Sequence, residues 1–201
     1  GVEIKLAEDG EILAKGPNIM KGYYNRPDLT AEVIDSEGWF HTGDIGEWEE
    51  HFGNHFLKIT DRKKELFKTA GGKYIAPQAI ENKMKESRFI EQIMVVGGDQ
   101  HKYIGALIVP SFVQLNAWSA EHGISKSSNA ELIEKPEIVA LIHKEVERLN
   151  AHFGKWEQIK KFRLLPEEWT IDSGMLTPTL KLKRKFLYAR FKQEVAEILE
   201  G

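Results

Sequence analysis

Five consecutive charged residues, Asp61-Arg62-Lys63-Lys64-Glu65, interrupt the hydrophobic pattern of the chain and separate two stretches with different periodicities. A run of this kind is ordinarily a solvated turn, because burying unpaired charge is costly. Before it the period is two. Val2, Ile4 and Leu6 alternate with charged residues, Asp9-Gly10 supplies a hairpin turn, and Ile12 and Ala14 continue the alternation. Ser36-Glu37-Gly38 is a second turn, and strands from Ile45 to Trp48 and from His55 to Thr60 flank a loop containing Gly53-Asn54. Thr30 is placed to cap a short helix through Val33. The expectation is a β-rich stretch of short strands, one side of a barrel. Its first strand opens at residue 1 and calls for neighbours, as in a piece cut from a longer protein.

After the charged run the pattern mixes. Pro77 suits the first turn of a helix with Ile80 and Met84 on its apolar side. Ile93 to Val96 and Tyr103 to Val109 read as a hairpin around Gly97-Gly98-Asp99. Ser111 is placed to cap a helix that Gly123 ends, and Ser125 to Asn129 is a polar loop. From Pro136, the residues Ile138, Ile142, Val146, Leu149 and Phe153 follow a helical spacing with Gly154 as the stop. Lys160 to Leu165 reads as a strand. A last helix carries Leu187, Phe191, Val195 and Ile198 on one stripe. Interleaved strands and helices define an α+β fold. The division is expected between residues 61 and 62, giving segments 1–61 and 62–201.

Composition removes several classes of function. Of 201 residues, 41% are hydrophobic and 29% charged, in the ordinary range of globular proteins. With no cysteine, disulfides, thiolate metal sites and cysteine nucleophiles are all excluded. The net charge of −3 offers no bulk field to recruit nucleic acid or anionic lipid. No apolar run approaches the roughly 18–20 residues that span a bilayer, and no basic segment with an apolar run opens the chain as a leader would.

Three segments are candidates for chemistry. Gly38-Trp39-Phe40-His41-Thr42-Gly43-Asp44 ends in a carboxylate held at a tight turn, which can accept hydrogen bonds from two adjacent hydroxyls such as those of a ribose. Turn chemistry alone also accounts for Gly-Asp. Gly71-Gly72-Lys73 is not a phosphate loop, since Tyr74 stands where Ser or Thr would hold magnesium. A glycine pair lets the backbone turn or approach something closely. Thr177 to Lys185 gathers Lys181, Lys183, Arg184 and Lys185 at what reads as the start of the last helix. Cations there oppose the helix dipole, so the segment is either a solvated basic face or the seat of an anion. His51 and His55 are four apart but flank a turn, without the partners of a metal site; no metal site is expected. No serine–histidine–aspartate arrangement has a hydrolase signature.

The order of the segments is more specific than any one of them. Gly10-Glu11-Ile12, Gly16 to Tyr24, Gly38 to Asp44, Asp61 to Glu65, Gly71-Gly72-Lys73-Tyr74-Ile75-Ala76-Pro77 and Lys181 follow one another as in the C-terminal portion of the adenylate-forming superfamily. The wording of Asp61 to Glu81 and of Leu176 to Arg184 most resembles its long-chain fatty acyl-CoA synthetase branch. The resemblance implies that residues 1–61 are the end of a large AMP-binding domain, a remnant of its β-barrel subdomain, and that 62–201 form a compact mobile lid. It implies that Asp44 and Arg62 contact the ribose of ATP, that Lys64 is the hinge of the lid, and that Gly71, Gly72 and Lys73 line the CoA tunnel. Lys181 corresponds to the catalytic lysine between the acid's carboxylate and the α-phosphate. Most of the superfamily has glycine immediately before this lysine, where this chain has Leu180; the Thr-Leu-Lys form fits the long-chain branch.

The implied substrates are a fatty acid, ATP with Mg²⁺ and CoA, with the metal ligands, phosphate loop and acid pocket in an N-terminal domain supplied in cis. A cytoplasmic or peripheral membrane location is implied, with no transmembrane segment and no nucleic-acid partner. The piece by itself is expected to be inactive. Two other readings remain at this point: a synthetase for an aromatic or short-chain acid, and a non-catalytic binding domain that kept the fold.

Overall fold

The computed structural model describes residues 1–125 and 128–200. The chain divides into two compact units, Gly1–Leu66 and Phe67–Gly201.

The first unit is an antiparallel meander of four strands, β1 (Glu3–Leu6), β2 (Glu11–Lys15), β3 (Phe40–His51) and β4 (Asn54–Arg62), in the order β1-β2-β3-β4. Helix α1 (Pro27–Val33) lies between β2 and β3 in sequence. Alternation in β1 does not produce a half-buried strand, since Val2 and Ile4 are 44% and 42% exposed. β1 is an edge strand, and the buried apolar residues are Ile12, Leu13 and Ala14 of β2. The β3–β4 hairpin turns through Phe52 and Gly53, whose φ values of 53° and 74° are both positive, as a two-residue hairpin requires. Thr30 does not cap α1. Pro27 opens the helix, and the Thr30 hydroxyl donates to the Arg26 carbonyl and accepts from the Tyr23 amide. Nor is the five-charge run wholly a solvated turn. β4 continues into it, and Asp61 is fully buried, with the Arg62 N–H donating to its Oδ1 at 2.6 Å.

The second unit is built on a three-stranded sheet of β7 (Ile90–Val96), β8 (Ile104–Pro110) and β9 (Ile159–Leu164), in the order β7-β8-β9. A small ladder, β5 (Phe67–Lys68) with β6 (Tyr74–Ile75), precedes it. β7 and β8 are the expected hairpin. β9 runs parallel to β8, so the chain must cross over, and helices α3 (Phe112–Glu121), α4 (Asn129–Ile133) and α5 (Pro136–Asn150) fill that crossover. Every residue of β8 is buried, as expected for a central strand covered on both faces. α5 buries Ile138, Ile142, Val146 and Leu149 along one stripe and ends at Asn150, before the expected stop. Helix α2 (Pro77–Met84) buries Ile80 and Met84. Part of the expected polar loop is instead a helix start: Ser128 caps α4, donating to and accepting from Glu131 in a capping box. Lys126 and Ser127 of that loop lie outside the described residues.

The last apolar stripe spans two helices, α6 (Arg184–Arg190) and α7 (Lys192–Glu200), with a break at Phe191. Leu187, Phe191, Val195 and Ile198 are nonetheless all buried. α7 packs closely because Gly105 of β8 has no side chain: a Cβ there would run into Ile198 Cγ2 and the Lys161 carbonyl. Among the described residues, no helix is long and apolar enough to cross a membrane.

Candidate functional site

In the first unit the candidate carboxylate and its candidate partner are brought together. Asp44 on β3 is the register partner of Arg62 on β4, and Arg62 Nε lies 2.7 Å from Asp44 Oδ1. Asp44 is one-quarter exposed and Arg62 half exposed, so the pair faces solvent at the end of the ladder.

The tight turn expected at Asp44 is instead an irregular stretch of β3, and it is held on both sides. Gly43 has φ of 72°, open to glycine at little cost. Its N–H donates to Glu11 Oε1 at 3.0 Å, and its carbonyl accepts from the Lys63 N–H at 2.8 Å. The Thr42 hydroxyl donates to the Ile12 carbonyl and accepts from the Asp44 N–H. Glu11 is itself buried, and its Oε2 meets Lys63 Nζ at 2.8 Å and His41 Nδ1 at 2.9 Å. Burial pushes the Glu11 carboxyl up, but Lys63, His41 and the Gly43 amide together pull it below the usual carboxylate range. Lys63 also reaches Asp9 Oδ2 at 2.7 Å.

Lys64 follows in an exposed turn. The backbone bonds there use the amides of its neighbours: Lys63 to Gly43, and Glu65 and Leu66 to the Arg62 carbonyl.

In the second unit, Gly71-Gly72-Lys73 is the exposed turn between β5 and β6. Gly72 has φ of 74°, and its N–H donates to the Thr69 carbonyl, so glycine is explained there by the turn. Gly71 is different. Its φ is not in the left-handed region, and an added Cβ would meet only Thr69 Oγ1 at 3.8 Å, so neither strain nor crowding within the unit demands a glycine. Lys73 Nζ lies 5.1 Å from the centroid of the Trp156 ring.

Lys181 does not open a helix. It closes a tight turn in which the Thr177 N–H donates to the Lys181 carbonyl, the Leu180 N–H to the Thr177 carbonyl, and the Lys181 N–H to Thr177 Oγ1. A bridge between Leu176 and Leu182 closes the turn below it. The Lys181 side chain is exposed. α6 begins three residues later, at Arg184, and the cation in its first turn is answered by protein. Arg184 Nη2 donates to both carboxylate oxygens of Glu81 on α2, at 2.8 and 2.7 Å. Glu81 also accepts from the Val95 N–H at 2.7 Å. Burial pushes its carboxyl up to about 7, against the downward pull of Arg184. The placement of cations before the last helix therefore needs no bound anion at Arg184.

Glu11, Lys63, Glu81 and Arg184 carry this geometry and were not distinguished by sequence reasoning. Glu81 had a signal: it shares the buried side of α2 with Pro77, Ile80 and Met84, where an ionisable residue needs a partner. His51 Nε2 contacts Glu49, and no group of three or more His, Cys, Asp or Glu among the described residues is arranged to hold a metal ion.

The fold matches the adenylation domain of a carboxylate reductase from Mycobacterium chelonae, with TM-score 0.74 and 24% identity over 98% of this chain and 30% of that one. The AMP-binding enzyme C-terminal domain profile matches residues 65–201, and the chain belongs to that family of AMP-binding enzymes. Among curated relatives, long-chain-fatty-acid–CoA ligase 1 of Homo sapiens is 40% identical over 192 residues, 94% of this chain and 27% of the relative. Long-chain-fatty-acid–CoA ligase FadD15 of Mycobacterium tuberculosis is 38% identical over 201 residues, 98% of this chain and 32% of the relative. The chain thus spans about a third of the length of the curated relatives it matches.

Proposed function

We propose that this chain supplies the ribose-gripping strand pair, the hinge and the lysine-bearing lid of an AMP-forming fatty-acid–CoA ligase, whose remaining domain lies outside this chain. The observation that carries the reading is the Asp44–Arg62 pair at 2.7 Å, presented on a stretch of β3 whose Gly43 peptide is fixed on both sides. A carboxylate and a guanidinium so held can accept from and donate to vicinal hydroxyls. The relatives at about 40% identity act, by name, on long-chain fatty acids, and this favours a long-chain acid over an aromatic or short-chain one. Apolar residues left exposed in the first unit, including Trp48, Phe56 and Ile59, fit a larger domain lying against it.

In this reading adenylation and thioester formation use the lid in turn. The acid's carboxylate attacks the α-phosphate and displaces pyrophosphate, which brings two anions together, and the exposed Lys181 ammonium stabilises the charge that develops between them. The acyl-adenylate is held by its ribose at Asp44 and Arg62. The segment after Lys64 then swings, and Gly71-Gly72-Lys73 lines the path of the CoA thiol. Gly71 suits that role, since nothing inside its own unit needs the missing side chain. Mg²⁺ belongs with the triphosphate and the preceding domain. Its chemistry is charge neutralisation at the phosphates, and this chain's described residues offer no cluster for it.

In the complete enzyme, Lys181→Ala should slow acyl-adenylate formation by roughly 10²–10³. Thioester formation from supplied acyl-adenylate should be much less affected. Measuring the two half-reactions separately decides the matter, and an equal fall in both removes Lys181 from the first step.

A further inference from the structure

We infer that Glu11 is a positioning residue for the nucleotide: it sets the Gly43 peptide, and through it the Asp44 carboxylate, in the orientation that recognises a ribose. The inference rests on the proposed ribose role of Asp44 and extends it to a residue that touches no substrate.

The geometry is a closed ring of contacts. Glu11 Oε1 accepts from the Gly43 N–H at 3.0 Å, the Gly43 carbonyl accepts from the Lys63 N–H at 2.8 Å, and Lys63 Nζ returns to Glu11 Oε2 at 2.8 Å. One peptide is thus gripped at its N–H and its carbonyl by two residues that are themselves ion-paired. His41 Nδ1 adds a third contact to the carboxylate at 2.9 Å. Glu11 is 3% exposed, so water does not compete for these bonds.

A buried carboxylate is a costly way to tie one peptide of a strand. Gly43 needs a firm tie, because a residue without Cβ has the widest choice of backbone angles and the next residue carries the candidate ligand group. Ion-pairing to Arg62 cannot supply that order, since the guanidinium is half exposed and free to follow Asp44. The ring fixes the backbone, and Arg62 then meets a carboxylate already in place.

The ring also ties down the residue immediately before Lys64. Lys63 is held by its side chain to Asp9 and Glu11 and by its amide to Gly43. Lys64 is the first residue beyond these ties. A swing that begins there releases the Glu65 and Leu66 amides from the Arg62 carbonyl but leaves the ring about Gly43 closed, so Asp44 stays in place through both half-reactions.

The test compares ATP with 2′,3′-dideoxy-ATP, which lacks the hydroxyls Asp44 is proposed to hold, in the complete enzyme. The readout is the ratio of kcat/KM for adenylation with the two nucleotides, a quantity that simple loss of stability does not alter. Glu11→Gln keeps the size and loses the charge. Glu11→Asp keeps the charge and loses the reach to Gly43. Wild type should prefer ATP, Asp44→Asn should abolish most of that preference, and both Glu11 variants should lower it about tenfold, the scale of one hydrogen bond to a charged group. The fall should come from ATP, with the dideoxy nucleotide used nearly as before. If Asp44→Asn removes the preference while both Glu11 variants keep it, or lower both nucleotides equally, Glu11 is a structural anchor only and the inference fails. If Asp44→Asn itself keeps the preference, the ribose reading has failed instead.

Discussion

Leu180 holds a backbone conformation that leucine rarely accepts, with φ of 60°. The left-handed region costs an L-residue about 1–2 kcal/mol because Cβ crowds the following carbonyl oxygen. The Thr177 turn imposes it, through the Leu180 amide and the two bonds that close on Lys181. Leu180→Gly removes the strain but adds freedom to the unfolded chain, worth about 0.5–1 kcal/mol in the other direction. The expected outcome in urea unfolding is a variant as stable as wild type or slightly more so. Leu180→Val, with branching at Cβ, should be less stable than both. A glycine variant less stable than the valine variant would contradict this account. That leucine precedes Lys181 was legible in the sequence, but the strain was not, because it depends on a turn closed by side-chain and backbone bonds around Thr177. Asp44 and Arg62 were likewise legible as residues, whereas Glu11 was visible only as part of a motif. Its contact appears only when β2 pairs with β3 and brings Glu11 beside Gly43, 32 residues away in sequence.

Between elements, Glu81 on α2 and Arg184 on α6 form a clamp that fixes the start of α6 three residues beyond Lys181. Burial raises the Glu81 carboxyl from an ordinary value of 4.5 to about 7. The sign follows from proton binding: between these values the folded state holds a proton that the unfolded state releases. Stability from this group is therefore greatest below about pH 4.5 and is lost as pH rises toward 7, with a slope of at most about 1.4 kcal/mol per pH unit for one proton. Glu81→Gln has no such titration. The stability of wild type relative to Glu81→Gln should fall between pH 5 and pH 7.5, as read from denaturant unfolding at each pH; a difference that stays constant or grows would contradict the assignment. Sequence periodicity foresaw the buried stripe of Leu187, Phe191, Val195 and Ile198 but read one helix, since the spacing of apolar residues survives a break at Phe191. Asp61 was hidden in a similar way. A charged run looks solvated until the strand pairing that buries its first member is known.

At the scale of the whole molecule, the alternation before Asp61 and the mixed pattern after it were enough to read an α+β chain. The thin core of the first unit was not legible, because alternating residues in β1 say only that one side is apolar and not that anything covers it. If one lid serves two half-reactions by turning about Lys64, that residue needs backbone freedom. Lys64 is exposed, and the bonds around it use the amides of Lys63, Glu65 and Leu66. Proline fixes φ near about −65° and removes the amide N–H, so Lys64→Pro should trap one arrangement, while Lys64→Ala keeps the freedom and serves as the control. Separate assay of the two half-reactions in the complete enzyme, after melting curves establish that both variants fold, is the direct test. The account predicts that the proline variant still makes acyl-adenylate and transfers it poorly to CoA, while the alanine variant does both. A folded proline variant that transfers acyl groups to CoA at the wild-type rate would contradict it.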